Sequence, residues 1–437
     1  MSTTVTYEGS TIATVENNTK TLQTAGKYLT DDITLVDVSG AGAVSVHQDE
    51  NGYLVLAPSG DGFAELDEDA DVCFWDYDGT LVYSYTFGEI AQMTELPPPP
   101  DHSNDRVPLT FQYWNWDLAD LKALTYPMDV GAVYYPTDGK MRWTYRLNNR
   151  TGLTCSFTTS QTTSITINWG DGTPDELWGT NEANGANPTH TYSVPGTYEC
   201  TWTGNGQPSS MMRTEGNDAL VGTFYVGGSG NNNVWLQSYW QSTFNGSSLE
   251  YVIGFTRAPG SWTFQDMRFL KAFVFGKAVS EVGQSSFRYA RSLKICCLSN
   301  IVGSSKNDYF LTYSGVKRMR FPSGFVYARF VLAGAPNLRF FNHDASKYQT
   351  CNGCFALKRL VIKGDIESTA LKDSYIEEVW CGLDEPPTLG SVDCFNKMLT
   401  SAKIHVKATA LTAFQTATNW STYAGNMVGD WTANPDR

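Results

Sequence analysis

The heptapeptides FQDMRFL (264–270), FRYARSL (287–293) and FLTYSGV (310–316) each begin and end on an apolar residue. The same spacing recurs at Leu332/Leu338, Cys351/Leu357, Ala370/Ile376 and Phe395/Ser401. The seven anchors, Leu270 to Ser401, follow one another every 19 to 25 residues. Beyond each anchor, apolar side chains tend to fall three and five places later: Phe273 and Phe275, Cys296 and Leu298, Met319 and Phe321, Leu360 and Ile362, Val379 and Cys381, Ile404 and Val406. A step of two is the strand period, so each repeat ends in a short strand with one apolar face. One unit of this length cannot enclose a core and must stack on its neighbours in a solenoid. Such a stack exposes a long surface with a few residues from each repeat, suited to recognition.

Composition bounds the rest. The 437 residues are 41% hydrophobic, 13% aromatic and only 17% charged, a balance that favours strands and a virion-type or extracellular surface over a helical cytosolic enzyme. The length accommodates about two to four domains. A net charge of −14 lacks the basic footprint of nucleic-acid binding. No apolar run is long enough for a transmembrane helix, and no membrane insertion is expected. The start, MSTTVTYEGSTIATVENN, has no basic segment followed by an apolar one, so a secretory signal is not expected. Nine irregularly spaced cysteines do not read as a disulfide framework and fit synthesis in a reducing cytoplasm. P-loop, dinucleotide and Gly-x-Ser-x-Gly signatures are missing and the five histidines are scattered, so neither catalysis nor a cofactor is expected.

The chain reads as mainly β and multidomain. Residues 1–39, Thr-rich and alternating around Gly26, form a small β module, with Gly40 to Gly42 as a joint. Residues 40–96 form a hairpin module broken at Asn51-Gly52, Asp61-Gly62 and Asp78-Gly79. Residues 97–150 comprise a stiff Pro97–Pro100 linker and a Trp/Tyr-rich α+β segment with a helix near Leu118–Leu124. Residues 151–208 read as a small β-sandwich. Residues 209–437 hold the solenoid, closed by an amphipathic helical pattern over Thr409–Met427 that serves as its polar-backed cap.

Three motifs invite chemistry. Asp76-Tyr77-Asp78-Gly79-Thr80 matches the first motif of haloacid-dehalogenase-like phosphatases, in which the first Asp is the phosphoryl-accepting nucleophile. Its flanks read as hairpin strands, so Asp78-Gly79 is taken as a tight turn. Asp171, Asp175 and Glu176 are weak candidates for a Ca²⁺ site, since three carboxylates are few for that ion and the turn role of Asp171 suffices. Cys155 and Cys200 flank Trp169 in an immunoglobulin-like order and either form a disulfide or face each other as free thiols. Cys351-Asn352-Gly353-Cys354 has no second pair for zinc, and Cys351 is read as a core thiol in the repeat's Phe position.

Resemblances cover most of the chain. Trp169-Gly170-Asp171-Gly172-Thr173, then His190-Thr191-Tyr192 and Pro195-Gly196-Thr197-Tyr198, resemble the PKD-type β-sandwich of bacterial and phage surface proteins. The repeat, with Ser292-Leu293-Lys294 and Ala356-Leu357-Lys358, and the tail from Lys403 to Trp420, resemble BspA-type leucine-rich repeats. Phe74 to Thr80 with Trp114-Asn115-Trp116 is similar to a module preceding such domains in gut bacterial and phage proteins. Gly9 to Ala13, Lys20 to Tyr28 and Asp31-Asp32-Ile33 resemble an N-terminal module of phage tail-associated proteins. These resemblances imply a virion protein of tail-fibre or receptor-binding type, assembled in the host cytoplasm and released by lysis. Residues 1–39 would meet other virion proteins, and the repeats a host-surface glycopolymer or protein. Homo-oligomerisation is expected by analogy with phage fibres. A capsid decoration, collar or baseplate protein and a bacterial cell-surface adhesin are the alternatives.

The strand period also nominates a ligand face. Residues two and four places after each anchor point away from the core: Ala272, Val274, Ile295, Cys297, Arg318, Arg320, Phe340, Asn342, Arg359, Val361, Glu378 and Trp380. Arg318, Arg320, Phe340, Asn342, Arg359 and Trp380 form the candidate patch, because arginine beside aromatics recognises anionic and sugar ligands.

Overall fold

The structure is a computed structural model. It describes the backbone of strands between residues 3 and 59, and residues 66, 68, 70–148, 153–156, 165–178, 189–204, 219–227, 244–255, 260–277, 279, 282–299, 308–322, 325, 329–343 and 350–431. Strand dominates, and the chain divides into two compact units, Met1–Asp67 and Glu68–Arg437.

In the first unit, strands β1 (Thr3–Tyr7), β2 (Ser10–Glu16), β3 (Thr19–Leu22), β6 (Ala43–Gln48) and β7 (Leu54–Ser59) make one antiparallel sheet in that order. Strands β4 (Gly26–Leu29) and β5 (Leu35–Val38) form a separate hairpin. Lys20 pairs with Val44, so the sheet runs across the Gly40–Gly42 joint and the expected division at 39/40 separates nothing. The expected 40–96 module is itself split, because its second half belongs to the other unit.

That second unit begins with β8 (Val72–Trp75), β9 (Leu81–Tyr85), β10 (Leu109–Trp114) and β11 (Met128–Pro136), ordered β10-β11-β8-β9, with β8 parallel to β11 and antiparallel to β9. Helix α1 (Phe87–Gln92) starts on a capping box: Thr86 Oγ accepts from the Glu89 N–H and Glu89 accepts from that of Thr86. Helix α2 (Leu118–Lys122) falls where the sequence places one. Val72 and Phe74 enter a core with Trp114 and Tyr134, while Cys73 and Trp75 are equally buried on the other face. Both faces of β8 are covered. The proline run is no free linker: the Trp114 indole N–H donates to the Pro97 carbonyl at 2.8 Å and the Tyr134 hydroxyl to that of Pro100 at 3.1 Å. Proline keeps its acceptor although it has no N–H, so ring donors on the sheet strap it down.

A six-stranded sheet follows, ordered β15-β14-β17-β12-β18-β19, from β12 (Met141–Leu147), β14 (Ile165–Asn168), β15 (Glu176–Trp178), β17 (Gly196–Gly204), β18 (Leu220–Tyr225) and β19 (Ser248–Ile253). A two-stranded sheet of β13 (Leu153–Ser156) and β16 (Thr189–Tyr192) accompanies it. Since β12 pairs along its length with β17, the expected boundary at 150/151 cuts through one sheet. Gly170 follows β14 at φ +76°, and a Cβ there would collide with the Glu199 backbone, so the turn requires glycine. The Tyr198 hydroxyl donates to the Val194 carbonyl at 2.6 Å, pinning the chain two residues before Cys200. Cys200 is buried, with its Sγ 3.1 Å from the Tyr192 hydroxyl; the Cys155 side chain lies outside the described residues.

The repeats fold into parallel strands: β20 (Ala272–Val274) with β21 (Ile295–Cys297), then β22 (Arg318–Met319), β23 (Phe340–His343), β24 (Arg359–Ile362), β25 (Glu378–Cys381), β26 (Lys403–Val406) and β27 (Met427–Val428) in sequence order. Every pairing is in register, Leu360 on Val379 on Ile404. Phe264, Phe287, Phe310, Leu332, Cys351, Ala370 and Phe395 are buried, as are the anchors through Ile376. Rings of Phe244, Phe264 and Phe287 stack at 5.5 and 4.9 Å. Ser401 is exposed and neighbouring Ala402 fills its place, since a hydroxyl gains nothing in an apolar row. Cys351 is in the core as expected but bonded to Cys354, with 5.7 Å between their Cα atoms. At the far end α3 (Leu411–Thr416) and a 3-10 turn over Trp420–Asn426 bring Phe414 and Trp420 over the last strands. The expected capping helix is thus two short pieces.

Candidate functional site

Alternation along β20 to β26 sends one set of side chains away from the core. At the first strands that outward set does not meet solvent. Val274, Ile295 and Cys297 pack with Ala70, Cys73, Trp75 and Leu81 of the β8–β11 sheet. A Cβ on Gly131 of β11 would collide with Val274, so glycine permits the close approach. The Trp116 indole donates to the Leu298 carbonyl at 2.8 Å and the Asn115 amide to that of Cys297 at 3.3 Å.

This docking takes Arg320 and Arg318 out of the expected patch. Arg320 is 2% exposed; it donates to the carbonyls of Ala70 at 2.7 Å and Met128 at 3.2 Å and lies 3.5 Å from Asp129. Arg318 is 3.6 Å from the same carboxylate, which also accepts from the Trp75 indole at 2.8 Å. Guanidinium is the cation that survives such burial, because its fixed fork of donors satisfies several carbonyls at once. Burial pushes the neighbouring Cys73 thiol up to about 11.

The last strands keep their outward side chains available. Arg359 donates through Nε to Glu378 at 3.0 Å, and the Trp380 indole to the same carboxylate oxygen at 3.4 Å. Trp380 lies flat on His405, 3.8 Å between centroids and 10° between planes. His405 Nδ1 is 2.7 Å from Asp430, and Lys407 is 2.7 Å from Asp384. Trp431 covers Gly382, where a Cβ would collide with its ring, and the Trp431 N–H donates to the Val406 carbonyl at 3.1 Å. Arg359 and Trp380 therefore belong to one surface as the sequence implies. Phe340 and Asn342 sit on β23, their side chains outside the described residues. His405, Asp430 and Trp431 were not anticipated. His405 was legible as the outward residue of the next repeat, four places after Ser401, but Trp431 has no repeat position to mark it.

The other motifs are engaged in local hydrogen bonds. The Asp76 carboxylate accepts from the Tyr77 N–H at 2.7 Å and from His102 Nε2 at 2.8 Å, and Asp78 accepts from the Thr80 N–H at 2.8 Å, with Gly79 at φ +87°. The Asp78-Gly79 turn joins β8 to β9, as the hairpin reading holds. His102 Nδ1 meets Asp105 at 2.9 Å, so both ring nitrogens face carboxylates, and the hydrogen bond to Asp76 foremost raises the imidazole above its usual range against the opposing pull of burial. Asp171 accepts from the Thr173 N–H at 3.1 Å and from His190 at 2.8 Å, and Asp175 from Asn168 at 2.6 Å. Among the described residues no group of three or more His, Cys, Asp or Glu is arranged around a metal position, and no helix is long and apolar enough to cross a membrane.

No protein-family model matches the chain, and the search of curated proteins finds no match.

Proposed function

We propose that the chain is a non-enzymatic recognition protein of a bacteriophage particle, which grips the host bacterial surface with the uncovered end of its outward face. The observation that carries this reading is the division of that face. The sheet of β8 to β11 seals the strands up to Arg320, while Arg359, Glu378 and Trp380 stay at the surface on a parallel ladder, with His405 beneath Trp380. A binding constellation on regular strands is held more firmly than one on loops. In this reading the repeats are a BspA-type leucine-rich solenoid with its cap over Thr409–Met427. The sheet around the Gly170–Gly172 turn is a PKD-like sandwich, supported by the Tyr198–Val194 bond. Residues 1–39 and the strands they pair with attach to other virion proteins, and the assembly is a homo-oligomer. The particle part rests on the resemblance of residues 1–39 alone.

The test is adsorption of the purified chain to cells of its host. An Arg359→Ala/Trp380→Ala variant with an unchanged circular dichroism spectrum is expected to lose at least about tenfold in affinity, as at an aromatic and arginine hot spot. Undiminished adsorption overturns the reading. Localisation in purified particles separates the alternatives: a tail-tip position favours the adhesin, and a capsid or collar position favours a structural role.

A further inference from the structure

The side chains at the uncovered end select among ligands. Four cations there, Arg359, Lys363, Lys403 and Lys407, stand with three carboxylates, Glu378, Asp384 and Asp430, and Lys363 Nζ lies 4.3 Å over the Tyr126 ring. Arg359 is held by Glu378 at 3.0 Å and Lys407 by Asp384 at 2.7 Å. The two arginines that would tip the balance are committed to Asp129 beneath the β8–β11 sheet. A phosphate-rich polymer therefore meets a surface of nearly balanced charge, whose guanidinium already has a partner. Breaking such a pair to bind an anion exchanges one contact for another at little gain.

What this end does offer is indole. Trp380 is half-buried, one face flat against His405. Gly382 continues the alternation two places later and carries Trp431, also half-buried, with Lys407 Nζ 5.5 Å from the Trp431 ring centroid. Both indoles are fixed by what lies beneath them, so little side-chain freedom is lost when a ligand lands. A pyranose ring presents an apolar face of C–H bonds and a rim of hydroxyls. The first complements an indole; the second finds donors and acceptors in the Arg359–Glu378 pair and in Asp430 without any charge being left alone.

We infer that Trp380 and Trp431 form a saccharide shelf that takes uncharged sugars in preference to anionic glycopolymers. This deepens the proposed function and rests on its choice of surface.

The experiment titrates the full chain calorimetrically with chitohexaose, mannan, dextran and poly(glycerol phosphate), at about 0.05 M and about 0.5 M NaCl. At least one neutral saccharide is expected to bind with an affinity that changes less than about twofold with salt. Trp431→Ala and Trp380→Ala should each weaken it at least about tenfold, Trp431→Phe much less, and Lys403→Ala less than about twofold. The inference is overturned if none of the three saccharides binds, or if poly(glycerol phosphate) binds best and loses affinity with salt and with Lys403→Ala. Cell adsorption keeps the two readings apart. Adsorption lost in Arg359→Ala/Trp380→Ala but not competed by any neutral saccharide sinks the sugar class alone, while unaltered adsorption sinks the surface.

Discussion

Arg320 and Trp380 occupy equivalent outward positions on their strands, and their fates differ because of what lies opposite. Arg320 meets the carbonyls of Ala70 and Met128 and the Asp129 carboxylate, at 2% exposure. Removing it leaves a buried carboxylate and two carbonyls with fewer partners, so Arg320→Ala should lower unfolding stability by about 3–5 kcal/mol. Denaturant titration checks this, and Arg320→Met, which keeps the volume, should not restore the loss. His102 gives a pH signature. It is faced by Asp76, Asp105 and the rings of Tyr77 and Tyr134, and its pKa is raised in the folded chain. A raised histidine stabilises fully below its unfolded value of about 6.5, and the contribution disappears as pH rises through the folded value. The melting temperature should therefore fall as pH rises above about 6.5, and His102→Gln should flatten that fall; parallel profiles would refute the linkage.

At the scale of elements, β8 and β11 decide which half of the ladder is open. Their sequences, VCFW (72–75) and MDVGAVYYP (128–136), are near-continuous apolar runs, and every residue in both is buried. Such runs are the mark of a strand covered on both faces. That signal is present in the sequence, but the Asp78-Gly79 break marks only the turn between β8 and β9 and not what covers their faces. The close approach of β11 to β20 and β21 depends on Gly131. Gly131→Ala should force the sheets apart at a cost of about 1–3 kcal/mol in denaturant stability. It should also raise the alkylation rate of Cys297, which is now fully buried. An unchanged rate would mean that the contact is loose.

Across the whole molecule, the repeat was legible because it is local. A pair of apolar residues six apart, followed by a step of two, dictates which side chains enter the core whatever surrounds them, and the rows from Phe264 to Phe395 are buried accordingly. The Asp78-Gly79 and Gly170-Asp171-Gly172 turns were legible for the same reason: positive φ and short side-chain returns are properties of a few consecutive residues. Domain boundaries were not. Gly40–Gly42, Pro97–Pro100 and the 150/151 division look like breaks in composition, yet sheets and straps cross them. The ligand face was half legible, since alternation marks which residues leave the core but not what awaits them. The sequence by itself determined that this chain is mainly β and carries a stacked array with an outward row of arginine and tryptophan. Only the tertiary structure decided that Arg320 is internal and Trp380 available. Arg320 and Asp129 lie far apart along the chain, and strand periodicity carries no information about what docks on a face.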